Sequence, residues 1–530
     1  MQWRRDMLWD AGVIALAIVF AWLCTLPSAI ALINWDNAAY IAEIASGGYD
    51  WSHLPWSSHL GVGQEYKLGV WLAQALGGSV IDGFRLLNAF VFAAACWVLF
   101  DAGRRLMQNP ALAALLTVFW ATVWVNLHYH LILEDNILFL APAAAMLRLC
   151  VLHIGAWRAR DSLLCGMFCL FGFLGSYQAL PYIGAAAYAA LLGPGRPLLR
   201  RVRDAVLVGV GFLGTMGAWM VLVVSTSKLT WKVLAHQITR GPDPLYMPRS
   251  LRTILAYVFD GHSLFDTLGN GVVWNLSFHA YKLPGQPFVS RWTLGLLATL
   301  VMLGLLAWTT RWSWRNHKWA PHVLVATMLV LTLSTSLHKD LEEYTGLKRY
   351  DCLPLILTFL LAILLGELKQ RALRRTAFVV VAVIALVIPI QVAYGLRWSI
   401  KERARYVTTA SWNRFPHPEP MQFGREGKSW FGYFRDLDRQ HRDACTLVLS
   451  YGEIADSTWN FDITGSLYSE VHDHIVVIDD DMLARFRPSA RRVVPHLVRV
   501  ADAKIPPCAW ISPAANELLS RADSTASRAR

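Results

Sequence analysis

Long uninterrupted apolar runs follow one another from the N-terminus to about residue 397. A helix needs about 20 predominantly apolar residues to cross a bilayer, and runs of this kind with few charges are typical of such helices. Eleven runs approach this length, at 11–32, 84–102, 110–127, 136–152, 162–177, 180–194, 205–226, 291–310, 320–337, 351–367 and 376–396. The fifth and sixth are short and meet near Tyr177 and Gln178, so a single broken hairpin is the alternative there. The pattern predicts an α-helical polytopic membrane protein with about 11 transmembrane helices.

The pattern changes after residue 397, where short strand-like runs replace the long apolar ones. Thr446–Val448 and His474–Ile478 consist of residues that favour strands, while Met482–Arg487 and Ala515–Arg521 have helical character. We therefore predict a small soluble α/β domain at this end of the chain. The predicted domains are 1–397, which holds the transmembrane helices, and 398–530, which is soluble and extracytoplasmic.

The composition agrees with a membrane protein and excludes several other classes. Hydrophobic residues make up 55% of the 530 positions and charged residues only 16%, whereas soluble domains have about 25% charged residues. The 24 Trp and 17 Tyr are typical of aromatic belts at membrane interfaces. These figures exclude disordered, collagen-like and disulfide-scaffold proteins. The net charge of +12 would suggest a nucleic-acid partner in a soluble protein, so the position of the basic residues decides its meaning.

Lys and Arg are concentrated at the N-terminus and in every second short loop between the predicted spans. Cytoplasmic loops carry the excess of basic residues in membrane proteins, so these loops are expected to be cytoplasmic. The longer loops 34–83 and 227–290 and the C-terminal domain then lie outside, and the second loop favours amphipathic interfacial helices. The first span is too long for a cleaved signal peptide and is expected to stay as an anchor. The charge thus reflects topology, and we expect no nucleic-acid partner.

Acidic residues recur next to the membrane on the predicted outer face. Such residues are costly unless they have a partner or a function. Asp36, Tyr40 and Glu43 share one face of a helix just beyond the first span. Glu134 and Asp135 fill the very short loop before the fourth span. The structural alternative is that Asp36 and Asp135 cap helices.

Basic residues on the same outer face run against the general trend. Lys67 lies in the first outer loop, Arg85 begins the second span, and Arg349 precedes the tenth span together with Tyr350. His338 belongs to the same loop as Arg349. The long side chains fit snorkelling towards lipid headgroups. They equally fit the binding of a lipid phosphate, whose oxygens Arg grips with two hydrogen bonds.

Two further patterns are given structural interpretations. Gly209–Gly214 matches the dinucleotide fingerprint G-x-G-x-x-G but lies inside an apolar span, so close helix packing explains it better. Cys445 and Cys508 are the two cysteines of the C-terminal domain. They form a disulfide if that domain faces an oxidising compartment, but pairing cannot be read from the sequence.

The outer-face motifs together resemble those of the GT-C glycosyltransferases, in particular the branch of lipid A aminoarabinose transferases and protein O-mannosyltransferases. Those enzymes take a sugar from a polyprenyl-phosphate carrier on the outer or luminal face. Five elements carry the resemblance, and they occur in the family's order: Asp36–Glu43, Glu65–Lys67, Gly83–Arg85, Leu133–Asn136 and Lys348–Pro354. The first element departs from the family form D-x-x-R-Y, because Ala39 occupies the position of its Arg.

The resemblance and the chemistry of sugar transfer imply roles for these residues. A carboxylate removes or orients the proton of the acceptor hydroxyl, and cations stabilise the departing phosphate. Catalytic candidates are Asp36, Asp135 and Glu134; phosphate-binding candidates are Lys67, Arg349 and Arg85; and substrate-binding candidates are Tyr40, Glu43, Glu65, Tyr350 and His338. No cofactor is required by this chemistry, although Asp36, Asp135 and His338 are ligand types that suit Mg²⁺ or Mn²⁺.

The expected partners are a polyprenyl-phosphate sugar, a lipid, glycan or protein acceptor, and membrane lipids. The expected location is a bacterial inner membrane, with the N-terminus cytoplasmic and the C-terminal domain periplasmic. Two alternatives stay open. A transporter or flippase of lipid-linked glycans would favour internal repeats and polar residues near the bilayer centre, rather than carboxylates at one face. A polymerase or ligase of lipid-linked glycans, or a non-catalytic assembly protein, is the other. The sequence does not identify the sugar, the acceptor or the length of the carrier.

Overall fold

The chain is largely helical, as its apolar runs predict. The structure is a computed structural model, and it describes residues 2–25, 62–78, 80–123, 126, 130, 135–175, 179–226, 288–336, 352–367, 375, 379, 437, 440–450, 474–478 and 497–528. The helices of this part are α1 (Gln2–Cys24), α2 (Val62–Ala75), α3 (Val80–Met107), α4 (Pro110–Ala121), α5 (Leu140–His153), α6 (Ala159–Gly175), α7 (Leu180–Leu192), α8 (Leu198–Thr226), α9 (Phe288–Arg315), α10 (Trp319–Ser336), α11 (Cys352–Glu367) and α12 (Pro513–Arg528).

A described helix occupies most of each of the first ten predicted spans, while parts of them, such as 26–32, and nearly all of the eleventh, 376–396, lie outside the described residues. Four helical stretches in the described part are long and apolar enough to cross a membrane. They are Asp6–Cys24, Ile81–Met107, Ile137–Ala156 and Leu198–Leu222. These helices support a helical membrane protein, while the count of eleven spans and the division at residue 397 stay predictions. The helix α2 was not predicted.

The helix α3 is the centre of the packing, in contact with α1, α2, α4, α5 and α11. Its Phe92 ring stacks on Trp120 of α4 at a centroid distance of 5.5 Å, and both side chains are fully buried. The sharp turn between these two helices follows from the local sequence. Asn109 accepts a hydrogen bond from the Leu112 amide, and Pro110 supplies a first helical residue whose missing N–H costs nothing.

A cluster of charges ties α1, α3 and α5 together near one end of the bundle. The Asp101 carboxylate is buried and accepts hydrogen bonds from Arg104, Arg105 and Arg148. Arg104 also reaches Asp10 of α1 at 3.2 Å. These arginines follow the predicted second span or sit within the fourth, so the cluster lies at the end that the positive-inside rule assigns to the cytoplasm.

The glycine-rich segment 209–214 lies within α8, and the predicted role in close helix packing holds for Gly211 but not for Gly209 or Gly214. A methyl group added to Gly211 would meet the Leu163 carbonyl oxygen of α6 at 2.5 Å, and one added to Gly166 would overlap the Val208 carbonyl oxygen. Gly209 has open space around it. The close contact between α6 and α8 therefore depends on particular glycines.

The C-terminal part contains a four-stranded parallel sheet in the order β3-β2-β1-β4. Its strands are β1 (Thr446–Ser450), β2 (His474–Ile478), β3 (Leu497–Val498) and β4 (Trp510–Ile511). The two predicted strands and the helix predicted at Ala515–Arg521 are confirmed, whereas Met482–Arg487 lies outside the described residues. Cys445 and Cys508 form a disulfide where β1 and β4 begin, so the pairing that the sequence left open is present.

Candidate functional site

The structure describes only part of the predicted site. Lys67 and Arg85 are described with their side chains, and Glu65 and Asp135 only by their backbone, in α2 and in the short 3₁₀ helix Asp135–Phe139 respectively. The other candidates lie outside the described residues: Asp36, Tyr40, Glu43, Glu134, His338, Arg349 and Tyr350. The predicted convergence of all these residues on one cavity therefore stays a prediction.

Two of the five motifs are in direct contact because α2 packs against the beginning of α3. Glycines allow this close approach of the two backbones. A methyl group on Gly83 would meet the Val70 Cα atom at 2.5 Å, and one on Gly69 would meet the Gly83 carbonyl oxygen at 2.5 Å. The glycine of Gly83–Arg85 is therefore required by packing, which brings this motif against the helix that carries Glu65–Lys67.

Aromatic rings fill the interface between the same two motifs. Tyr66 and Phe84 stack with their centroids 3.7 Å apart, and both side chains are completely buried. The Tyr66 hydroxyl donates a 3.0 Å hydrogen bond to the Asn88 side-chain oxygen. Neither Tyr66 nor Asn88 was predicted to have a role in the site. Asn88 could have been identified from the sequence, because a side-chain amide within an apolar span is costly without a hydrogen-bond partner.

Arg85 joins the beginning of α3 to the end of α1. Its Nε donates to the Thr25 hydroxyl at 3.1 Å, and its Nη1 lies 2.9 Å from the Asp82 carboxylate. Its Nη2 donates to the Trp22 carbonyl at 3.3 Å, and the guanidinium also lies over the Trp22 ring, 3.8 Å from the centroid. With its side chain only 7% exposed, this arginine is held by protein partners on several sides, and the described contacts make it a link between helices.

Lys67 is placed differently from its neighbour in the same motif. Its side chain is exposed, whereas that of Tyr66 is buried. Successive residues of a helix point about 100° apart, so α2 buries one part of the motif and presents the other. A lysine ammonium is a strongly hydrated point charge, and its exposure at this position makes Lys67 accessible to a phosphate.

His130 belongs to the second outer segment of the predicted topology, and its environment is apolar. Its ring packs edge-on against Phe92 at 4.4 Å and Phe20 at 6.1 Å. The side chain is fully buried, and neither ring nitrogen has a hydrogen-bond partner within the described structure. Burial lowers the pKa of His130 to about 3, so this histidine is neutral at pH 7. Its described contacts are those of an aromatic residue packed in an apolar environment.

A metal centre receives no support from the side chains that the structure describes, among which no group of three or more His, Cys, Asp or Glu is arranged to hold an ion. The predicted ligands Asp36 and His338 and the side chain of Asp135 lie outside the described part of the structure. An ion at that position therefore stays a prediction.

The described fold is that of a helical protein with several apolar helices of membrane-spanning length and a small parallel sheet. Comparison with known proteins gives no match to any protein-family model and no match to a curated protein. The likeness to GT-C glycosyltransferases rests on the five motifs and on their order along the chain.

Proposed function

We propose that this protein is a membrane-bound glycosyltransferase that moves a sugar from a polyprenyl-phosphate donor to a lipid, glycan or protein acceptor on the extracytoplasmic face. One structural observation carries the proposal. The motifs Glu65–Lys67 and Gly83–Arg85 are separated in sequence but packed together through Tyr66 and Phe84. Motifs that share a site must be neighbours in space, and these two are.

The ends of α1 and α3 support a proposed site at the face of the membrane opposite to the basic cluster. These helices run antiparallel, with Asp10 meeting Arg104 at one end and Thr25 meeting Arg85 at the other. Arg85 and Arg104 are 19 residues apart on α3, or roughly 28 Å at 1.5 Å per residue. That distance is close to the ~30 Å thickness of the hydrocarbon core. The basic cluster and the motif pair therefore fit opposite faces of a bilayer.

In the proposed mechanism, Asp36 takes or orients the proton of the acceptor hydroxyl as the sugar is transferred. Glu134 and Asp135 orient the acceptor. Lys67 and Arg349 stabilise the negative charge that grows on the carrier phosphate as its bond to the sugar breaks. No cofactor enters this scheme.

Arg85 has a positioning role in this proposal beside its expected contact with the phosphate. It holds Trp22 and Thr25 at the end of α1, and Asp36 follows Thr25 by 11 residues in the sequence. We expect a fixed anchor at this point to restrict the segment that carries Asp36. Such positioning matters because a displacement of about 1 Å costs on the order of 100-fold in rate.

Transfer by the purified protein in proteoliposomes tests the proposal. The donors are polyprenyl-phosphate aminoarabinose and polyprenyl-phosphate mannose, each radiolabelled in the sugar, and the acceptors are lipid A and a Ser/Thr-rich peptide. Asp36→Asn is expected to lower kcat by about 10²- to 10⁴-fold, the usual worth of general acid–base catalysis. The matched control Asp6→Asn removes an exposed carboxylate at the other end of α1 and should leave the rate unchanged.

Two results would count against the proposal. If the Asp36→Asn variant transfers sugar at the wild-type rate, Asp36 is not the catalytic base. Absence of transfer from either donor, combined with movement of the lipid-linked sugar between leaflets of the same vesicles, would favour a flippase or transporter instead.

A further inference from the structure

A groove of about 530 Å³ lies between α9 and α10. Most of its wall is apolar and is formed by residues such as Leu303, Leu306, Val325 and Leu329. Leu303 is 37% exposed and Leu329 42% exposed, so protein does not cover this wall completely. The volume lies within the roughly 300–1,000 Å³ of ordinary ligand pockets.

One end of the groove is basic. Arg311 and Arg315 line it four residues apart on α9, and both side chains are exposed. Like charges at this spacing repel each other and weaken a helix. Neither arginine forms an ion pair or side-chain hydrogen bond with another described residue, whereas Arg104 and Arg196 each pair with a buried aspartate. An anion placed between Arg311 and Arg315 would relieve this repulsion.

Tryptophans mark the depth of this basic end. Trp308 and Trp312 stack at 6.2 Å on α9, and Trp314 meets Trp319 of α10 edge-on at 6.1 Å. Indole rings gather at the level of the lipid headgroups, where one part of the ring is apolar and the other is wet. The apolar wall thus continues from the headgroup level towards the bilayer centre.

The turn between the two helices gives the groove its shape. His317 adopts a left-handed conformation with φ 52°, and the Lys318 amide donates to the Ser313 carbonyl at 2.9 Å. The His317 amide donates to the Trp314 carbonyl at 3.3 Å. This is a Schellman ending, which reverses the chain within a few residues. α10 therefore returns directly along α9, and the groove between them runs along both helices.

We propose that this groove binds an anionic glycerophospholipid such as phosphatidylglycerol. Its phosphate lies between Arg311 and Arg315, and one acyl chain follows the apolar wall past Leu306. Charge complementarity and the apolar wall together select a lipid, because a free anion would leave Leu303 and Leu329 uncovered. The positive-inside rule places this basic end in the cytoplasmic leaflet, away from the proposed sugar-transfer site. Basic pockets between helices on that side are typical sites for anionic headgroups.

Native mass spectrometry of the full protein in a neutral detergent tests this site. Phosphatidylglycerol and phosphatidylcholine of equal chain length are titrated separately. We expect to detect the complex with phosphatidylglycerol at low lipid concentration, and we expect no complex with phosphatidylcholine at the same concentration. The double substitution Arg311→Gln and Arg315→Gln should weaken phosphatidylglycerol binding about thirtyfold, from the usual contribution of two basic residues.

Matched variants distinguish lipid binding in this groove from a non-specific attraction of anionic lipid to basic residues. Arg158→Gln with Arg200→Gln removes two exposed arginines from other predicted cytoplasmic loops and should leave binding unchanged. Ala307→Trp fills the apolar part of the groove and keeps both arginines, so it should weaken binding at least tenfold even if the double variant does not fold.

Other outcomes overturn the proposal. If phosphatidylcholine binds as tightly as phosphatidylglycerol, the two arginines do not recognise the charge of the headgroup. Unchanged binding of phosphatidylglycerol to the Ala307→Trp variant would show that the lipid does not bind in the groove. Preference for a polyprenyl phosphate over phosphatidylglycerol would make this a carrier site, and displacement of the lipid by millimolar inorganic phosphate would make it a site for phosphate alone.

Discussion

Replacement of Asp101 by Asn tests whether one buried carboxylate holds three helices together. Asn keeps the size of the side chain and one acceptor oxygen but removes the charge. Arg104 and Arg148 are the partners that should matter, since their side chains are only 22% and 24% exposed. Arg105 is 58% exposed and can return to water when the charge is lost. The perturbation is therefore concentrated in two of the three ion pairs.

The magnitude follows from these contacts. A hydrogen bond to a charged group contributes about 1.5–3 kcal/mol, and an exposed ion pair about 0–1 kcal/mol. Two partly buried arginines and one exposed arginine give a loss of about 3 kcal/mol in the free energy of unfolding. This agrees with the lower part of the ~3–5 kcal/mol for breaking a buried ion pair. The lower part applies because Arg104 and Arg148 keep some contact with water.

Steric trapping in bicelles measures this free energy of unfolding. Asp6→Asn, which removes an exposed carboxylate from α1, is the control and should change the stability by less than about 0.5 kcal/mol. Double-mutant cycles sharpen the test. The coupling of Asp101→Asn with Arg148→Gln should exceed about 1 kcal/mol, and that with Arg105→Gln should be below about 0.5 kcal/mol. Equal couplings, or a stability equal to that of the wild type, would refute the reasoning.

Two further predictions use the same measurement of stability, and a third uses hydrogen exchange. Gly211→Leu should destabilise the protein by about 3 kcal/mol or prevent folding, because its side chain overlaps Leu163, whereas Gly209→Leu has open space and should be tolerated; equal effects would contradict the packing explanation. Because the pKa of His130 is lowered to about 3 from about 6.5 in the unfolded chain, stability should be complete above pH 6.5 and fall by about 1.4 kcal/mol per unit as the pH drops towards 3. His130→Phe should remove that part of the slope, and an unchanged slope would show that other groups cause it. Cys445→Ser opens a loop of 63 residues and should cost the C-terminal sheet about 4 kcal/mol; protection of the β1 amides from hydrogen exchange that equals the wild type would count against this.

The sequence predicted the helices well because a run of about 20 apolar residues is a strong local signal. It missed α2, whose 14 residues include Gln64, Glu65 and Lys67 and are too few to span a membrane. It also missed β3 and β4, which are two residues each and are defined by their pairing with β1 and β2. Short strands that are defined by pairing with distant segments have no recognisable pattern in their own sequence.

The same limit applies to the candidate site. The motifs were recognised from residue types and spacing, but nothing local indicated that Gly69 and Gly83 bring two of them together. The bond from Arg148 to Asp101 joins residues 47 positions apart, and no pattern in the sequence pointed to it. Arg85 shows the reverse case. Its position predicted a phosphate contact, which stays a prediction, and nothing local predicted the protein partners that the described structure gives it on α1 and α3.

The pairing of α1 with α3 has a consequence for how the protein is made. Asp10 lies in the first helix, and its partner Arg104 follows 94 residues later. At roughly 5–20 residues per second, the ribosome needs about 5–20 s to add that length. Throughout this interval the described hydrogen bonds from α3 to Asp10, Trp22 and Thr25 cannot form. Once α3 is inserted, Arg104 and Arg85 close both ends together, so the first helix reaches its final place only after the second predicted span has been synthesised.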